Sequence, residues 1–149
     1  MIPAPRAGTF FCDTSVLVAA SDTAHLHYGA SLSLVATAHP KRAFCAAHTL
    51  AELYATLTAT PPPRMRRTAD VLANVDHAAS VFTPVSLDVD DYRWVLSHAA
   101  RVGARSGQLY DALILKAAER AGAEAVYTWN VPHFTRVAWP VMAGRIRTP

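Results

Sequence analysis

Short apolar runs alternate along this chain with longer segments in which apolar residues recur every three or four positions. The first run, Thr9 to Cys12 (TFFC), is rich in strand formers and passes through the polar turn Asp13-Thr14-Ser15 into the helix-compatible VLVAAS. Tyr28 to Ala38 has helical character and stops at Pro40, and Arg42 to Ala46 (RAFCA) returns to strand. In the next segment, HTLAELYATLTA, Leu50, Leu53, Tyr54 and Leu57 share one helical face. Pro61 to Pro63 end that helix, because proline has no N–H and its ring clashes with the preceding turn. Residues 65 to 79 predict another amphipathic helix, and residues 81 to 85 (VFTPV) a strand whose Pro84 favours a sheet edge or a strand end. Helices follow over Asp88 to Val102 and over LYDALILKAAERA, the latter closed by Gly122, and Ala125 to Thr128 (AVYT) is the last clear strand. The alternation predicts an α/β fold with a parallel sheet, helices on both faces and right-handed crossovers. No repeat, linker or boundary interrupts it, so a single domain is expected over 1–149, with its core at about 9–140.

The polar positions at the run boundaries change the picture. Asp13 directly follows the first strand, Glu52 lies one turn into the helix after the second, and Asp111 lies in the first turn of the helix before the last strand. Only eleven acids occur in the chain. In an open α/β sheet, ligands bind outside the carboxyl ends of the strands, so all three carboxylates are expected at one edge, joined there by Asn130. Each has an ordinary alternative. Asp13 can cap the helix near Ser15, Thr49 to Glu52 fits a capping box, Asp111 suits a helix dipole, and Asn130 suits a cap or turn before Pro132. Spacing alone leaves both readings open.

Clustered carboxylates without an accompanying His/Cys set select Mg²⁺ or Mn²⁺, which take one or two acids and complete their shell with water and phosphate oxygens. Such acids also repel one another and hold protons more tightly until a cation arrives.

Composition narrows the classes. With 149 residues, 52% hydrophobic and 17% charged, the chain can bury a core, and no apolar run reaches the ~18 residues of a membrane span. The N-terminal stretch MIPAPRAGTFFCDTS does not read as a signal peptide, so a cytoplasmic location without membrane association is expected. Cys12 and Cys45 lack metal or framework spacing and read as buried free thiols. The net charge of +3 permits an anionic partner; Arg64, Arg66 and Arg67, and Arg145 and Arg147, are the visible basic clusters.

Four segments in order, Cys12-Asp13-Thr14-Ser15, His48-Thr-Leu-Ala-Glu52-Leu-Tyr-Ala-Thr-Leu-Thr, Tyr110-Asp111-Ala-Leu-Ile and Thr128-Trp-Asn130-Val-Pro-His133-Phe134, resemble the PIN-domain ribonucleases, specifically the VapC-type toxins of bacterial toxin–antitoxin modules. The resemblance spans about residues 9 to 140. It implies a three-layer α/β/α sandwich with a mostly parallel five-stranded sheet, and Mg²⁺- or Mn²⁺-dependent endonucleolytic cleavage of RNA restrained by a cognate antitoxin. Carried over, Asp13 and Asp111 match the principal metal ligands, Glu52 the acid that completes the cluster, and Thr128 a supporting hydroxyl. Asn130 stands where many relatives carry a fourth acid, so one well-held ion is expected, with any second arriving alongside RNA. His48 matches a recurrent residue at a helix start and reads as structural. His25 and His27 read as surface or capping residues, His133 as a candidate substrate neighbour, and Phe134 and Trp129 as packing. The apolar stretch from Leu50 to Leu57 offers a surface for the antitoxin or for a homodimer.

Two other readings compete. A phosphatase or phosphorelay module also places an Asp after its first strand, but position 15 is Ser rather than a second Asp, and no lysine follows the last strand. A non-catalytic PIN-like interaction protein is the other, favoured by Asn130 and disfavoured by the three retained acids. No P-loop or dinucleotide fingerprint occurs.

Overall fold

The computed structural model describes residues 8–149. The strands β1 (Phe10–Cys12), β2 (Ala43–Ala46), β3 (Thr83–Val85), β4 (Ala125–Tyr127) and β5 (Ile146–Arg147) form one sheet in the order β3-β2-β1-β4-β5, with every adjacent pair parallel. The helices are α1 (Thr14–Ala20), α2 (Tyr28–Val35), α3 (Ala47–Thr58), α4 (Thr68–Val81), α5 (Val89–Val102), α6 (Gln108–Arg120), α7 (Val131–Val137) and α8 (Pro140–Ala143). β1 lies at the centre and is buried on both faces, which is why FFC is continuously apolar rather than alternating. Phe10 and Cys12 face a core completed by Val16, Leu34, Leu53, Leu57 and Val71 of α1 to α4. Phe11 points the other way, into a core with Val95, Leu115, Phe134 and Met142 of α5 to α8. The expected three-layer sandwich is what these two cores build. Pro84 sits in β3, at the sheet edge that its missing N–H favours.

The chain order reverses at β1, whose neighbours are β2 on one side and β4 on the other. That makes the carboxyl ends of β1 and β4 the topological switch point, where open α/β sheets gather ligands. Asp13 follows β1 directly and its N–H donates to Tyr127 O at 2.9 Å, so the two strand ends are tied together where the site forms.

Several boundaries differ from expectation. Asp13-Thr14-Ser15 is not a separate polar turn: α1 begins at Thr14, and Asp13 is its N-cap. The Thr49–Glu52 capping box does not form, because α3 starts at Ala47 with Ala46 as N-cap, which places Thr49 inside the helix and fully buried. The Leu50–Leu57 stretch is not a free surface either. Leu53 and Leu57 are buried and Leu50 is packed against the core, leaving Tyr54 as the exposed member. Large exposed apolar side chains lie instead at Leu26, Met65 and Leu72, at 89%, 67% and 52% exposure. Cys12 and Cys45 are free and buried, as expected, and burial pushes the Cys45 thiol up to about 12. The leader reading rests in part on residues 1–7, which lie outside the described residues. Among the described residues, no helix is long and apolar enough to cross a membrane.

Candidate metal centre

Asp13 is the most constrained acid of the chain. Its Oδ1 accepts from Thr14 N–H at 2.7 Å, and its Oδ2 accepts from Ser15 Oγ at 2.8 Å and from Thr128 Oγ1 at 2.9 Å. Three of roughly four acceptor positions are thus occupied, leaving one for a further ligand. Only 7% of Asp13 is exposed. Burial raises its proton affinity, opposed by the hydrogen bonds from Ser15, Thr128 and Thr14 that favour the ionised form, and the net direction is upward. The carboxylate that caps α1 thus keeps one acceptor position open.

The same hydroxyls tie neighbouring elements to this point. Ser15 Oγ accepts from Trp129 N–H at 3.1 Å, and Thr128 Oγ1 accepts from Asn130 N–H at 3.0 Å, so the backbone after β4 is pinned to the start of α1. Thr14 Oγ1 donates to Glu52 Oε2 at 3.0 Å and lies 3.1 Å from Thr49 Oγ1, linking α1 to α3. Glu52 Oε1 lies 3.3 Å from His48 Nε2 across one helical turn. That approach is within ion-pair reach but is not aligned as a hydrogen bond, and it leaves the buried His48 Nε2 without a hydrogen-bond partner among the described residues. His48 thus flanks Glu52, in keeping with a structural role.

Asp111 projects from the first turn of α6 and is partly buried. Its proton affinity rises to about 6, because of burial first, then the negative charge of Asp13, with Glu52 adding to it and His133 opposing. Asp13 at the end of β1 and Glu52 in α3 thus lie near enough for their charge to be felt at Asp111 in α6. Among the described residues, no three His, Cys, Asp or Glu side chains stand close enough to form a ready-made metal cage. The donor set suits an ion that takes one or two carboxylates and keeps its water, which is the habit of Mg²⁺.

The remaining candidates divide. Asn130 is the exposed N-cap residue of α7, and its side chain makes no capping hydrogen bond. His133, one turn on in α7, faces Asp111. Phe134 is fully buried, as a packing role requires. Trp129 is half-buried: its indole N–H donates to Ser31 Oγ at 2.9 Å and its ring stacks on His27 with centroids 3.7 Å apart. His27 therefore secures α2 against the loop after β4, a contact with no sequence signal because the partners lie about a hundred positions apart. Thr14 and Ser15 do carry a local cue, since two hydroxyl residues directly after an acid at a strand end mark a supported carboxylate.

The PIN domain family model matches residues 10–139. The chain belongs to the PIN-domain family. Ribonuclease VapC40 of Mycobacterium tuberculosis is 34% identical over 113 residues, covering 75% of this chain and 80% of that protein, which makes this a PIN domain of the VapC type. The crystal structure of the Mycobacterium tuberculosis toxin VapC20, which cleaves the sarcin–ricin loop, aligns with a TM-score of 0.68 at 17% identity, over 84% of this chain and 92% of that one. VapBC2 of Rickettsia felis, solved bound to a DNA fragment from its promoter, aligns with a TM-score of 0.59 at 20% identity, over 87% of this chain and 92% of that one. In this PIN domain the acids predicted from sequence occupy the carboxyl edge of the sheet.

Proposed function

We propose that this PIN domain is a Mg²⁺- or Mn²⁺-dependent endoribonuclease, the toxin of a type II toxin–antitoxin pair, acting in the cytoplasm. The observation that carries this reading is the placement of Asp13 at the switch point, hydrogen-bonded by Ser15 and Thr128, with Thr14 beside it donating to Glu52, in a chain similar to a VapC ribonuclease. A bound divalent cation supplies Lewis acidity, lowering the pKa of an attacking water and neutralising charge on the phosphate oxygens. Asp13, held by three hydrogen bonds, and Asp111 would hold the cation through carboxylate oxygens. Glu52, held by Thr14 and flanked by His48, orients the water and receives its proton. Asn130 offers a neutral carbonyl oxygen at the rim, adding a ligand or hydrogen bond but no charge.

Attack by water rather than by the ribose 2′-hydroxyl has a distinct product. Total RNA incubated with the protein and Mg²⁺ is expected to yield fragments free of 2′,3′-cyclic phosphate, and a substrate with 2′-deoxyribose at the cleaved position is expected to remain cleavable. Cyclic-phosphate ends, or no cleavage with either metal, would sink the reading.

Thr128→Val tests the support of Asp13. It removes one donor from the carboxylate and the acceptor of the Asn130 N–H. Losing a hydrogen bond to a charged group costs about 1.5–3 kcal/mol, so cleavage is expected to fall roughly tenfold or more. The acidic limb of the pH–rate profile should move to higher pH, because Asp13 then holds its proton more tightly. An unmoved limb would separate Thr128 from the reaction.

The phosphorelay alternative fares worse on geometry. A phosphorelay site needs a second acid beside its nucleophile to hold the cation, whereas Ser15 stands in that place and donates to Asp13. Beryllium fluoride is expected not to bind Asp13. An antitoxin and a second copy of the chain are the protein partners we propose, and exposed Leu26, Met65 and Leu72 supply apolar surface for them.

A further inference from the structure

We propose that Arg105, Gln108 and Arg136 form a phosphate subsite for the RNA nucleotide next to the scissile one, in the cleft that opens beside Asp111. The inference rests on the ribonuclease reading and gives that site its substrate-binding wall. Asp111, His133, Gly107 and these three residues line a single cavity of about 570 Å³, within the roughly 300–1,000 Å³ that ligand sites occupy.

Charge distribution favours this wall, where two arginines from different elements, unpaired among the described residues, meet beside an acid. Most members of the basic clusters conspicuous in the sequence are engaged locally: Arg64 pairs with Asp22 at 2.6 Å, Arg66 donates to Ser21 O, Arg67 lies 3.9 Å from Asp70, and Arg145 donates to Ala123 O at 2.9 Å, while exposed Arg147 lies apart from this cleft, on the edge strand β5. Arg120, at the far end of α6, is held by Asp88 and Asp91. Arg105 and Arg136 are exposed, and neither side chain makes an ion pair or hydrogen bond among the described residues. They come from different elements, the loop before α6 and the last turn of α7, yet share the one cavity that also holds Asp111.

The loop is shaped for this. Gly103 closes α5 with a φ of 70° and Ser106 adopts a φ of 49°, left-handed conformations that turn the chain sharply twice within four residues. Gln108 Oε1 accepts from Arg105 N–H at 2.9 Å, fixing the base of the loop and leaving the amide NH₂ as a donor. A Cβ at Gly107 would meet nothing within 4 Å, so the cleft floor is open to a ligand. The first N–H groups of α6 are taken by Arg105, Ser106 and Gly107 carbonyls, which leaves side chains as the anion-binding donors. Two guanidiniums and an amide around an open cleft match a phosphodiester, and their place beside the acids matches the phosphate adjoining the one being cut.

The test measures binding of a short, mixed-sequence, single-stranded RNA by fluorescence anisotropy across a salt series. It uses Asp13→Asn protein with Mg²⁺, alone and with Arg105→Ala and Arg136→Ala added. Each arginine lost should weaken binding several-fold and flatten the log Kd against log salt slope by about 0.7. Arg67→Ala, an exposed charge elsewhere that lies beside Asp70, should leave the slope nearer its starting value. An unchanged slope in the double variant overturns the subsite whether or not the protein cleaves RNA, as does an equal loss from Arg67→Ala. Unaltered RNA binding combined with lost binding of poly-glutamate would reassign the pair to an acidic protein partner. Absence of cleavage by the Asp13-containing protein, with the slope changed as expected, would remove the nuclease reading and leave the anion site standing.

Discussion

Asp13→Asn is expected to reduce RNA cleavage by roughly three orders of magnitude while leaving the fold intact. The amide keeps the size of the carboxylate and retains an oxygen to accept the Thr14 N–H, so the cap of α1 survives. Its NH₂ can meet the hydroxyls of Ser15 and Thr128, which rotate to accept instead of donate. What disappears is the negative charge, so the acceptor position still open on the retained oxygen holds a cation far more weakly. Circular dichroism and thermal melting should therefore match the parent protein while cleavage of total RNA, and growth arrest on expression, are lost. Full activity in Asp13→Asn and Asp111→Asn together would overturn the metal-dependent nuclease. Loss of the fold would instead show that the buried carboxylate is chiefly a cap.

The separation between what the sequence discloses and what it conceals follows from where the stabilising contacts come from. β1, β2 and β4, with the long helices between them, are written into local patterns: FFC, AFCA and AVY are apolar runs, and α5 carries its own Asp88/Asp91 capping box and Gly103 stop. Residues beyond Thr128 are different. α7 and α8 each begin with a Pro in the first turn, are seven and four residues long, and depend on burying Phe134, Val137 and Met142 against α6 and the sheet. β5 is a two-residue strand that exists because Val126 and Tyr127 offer it a partner. Neither feature has a periodicity long enough to register in a sequence window.

Site residues show the same division. Asp13 and Asp111 are legible because strand-end position and motif agree, whereas their supporters act across long separations: Thr128 reaches Asp13 over 115 positions, and Trp129 reaches Ser15 over 114. Arginine clustering in sequence pointed to residues 64–67 and 145–147, yet in space most of these side chains find local acids or carbonyls. The pair that lines the cleft beside Asp111, Arg105 and Arg136, is separated by thirty-one positions and carries no local cue. Proximity in sequence is a poor guide to electrostatic potential, because a charge is felt only after its own neighbours have been subtracted.

Asp111→Asn should separate the two consequences of crowding acids together. Folded Asp111 holds its proton with an affinity near 6, against an ordinary value of 3.8. Because the folded state binds this proton more tightly than the unfolded chain does, ionised Asp111 opposes folding above pH 6, and the opposition fades as pH falls from 6 toward 3.8. Metal-free Asp111→Asn is therefore expected to melt higher than the parent at pH 7.5 and to show little difference near pH 4. Partial exposure screens the effect to about 1 kcal/mol, or roughly 2–4 °C in a domain of this size. Activity should move the opposite way, falling by orders of magnitude at every pH. Mg²⁺ should raise the melting temperature of the parent protein, since a ligand that binds only the folded state stabilises it, and should do so far less in the variant. In the parent protein, cleavage should also decline below pH 6, where protons compete with the cation for Asp111. A variant that melts lower than the parent at pH 7.5 would mean that Asp111 is held by stabilising partners rather than strained by Asp13 and Glu52. The electrostatic basis for assigning these three acids to one centre would then be lost.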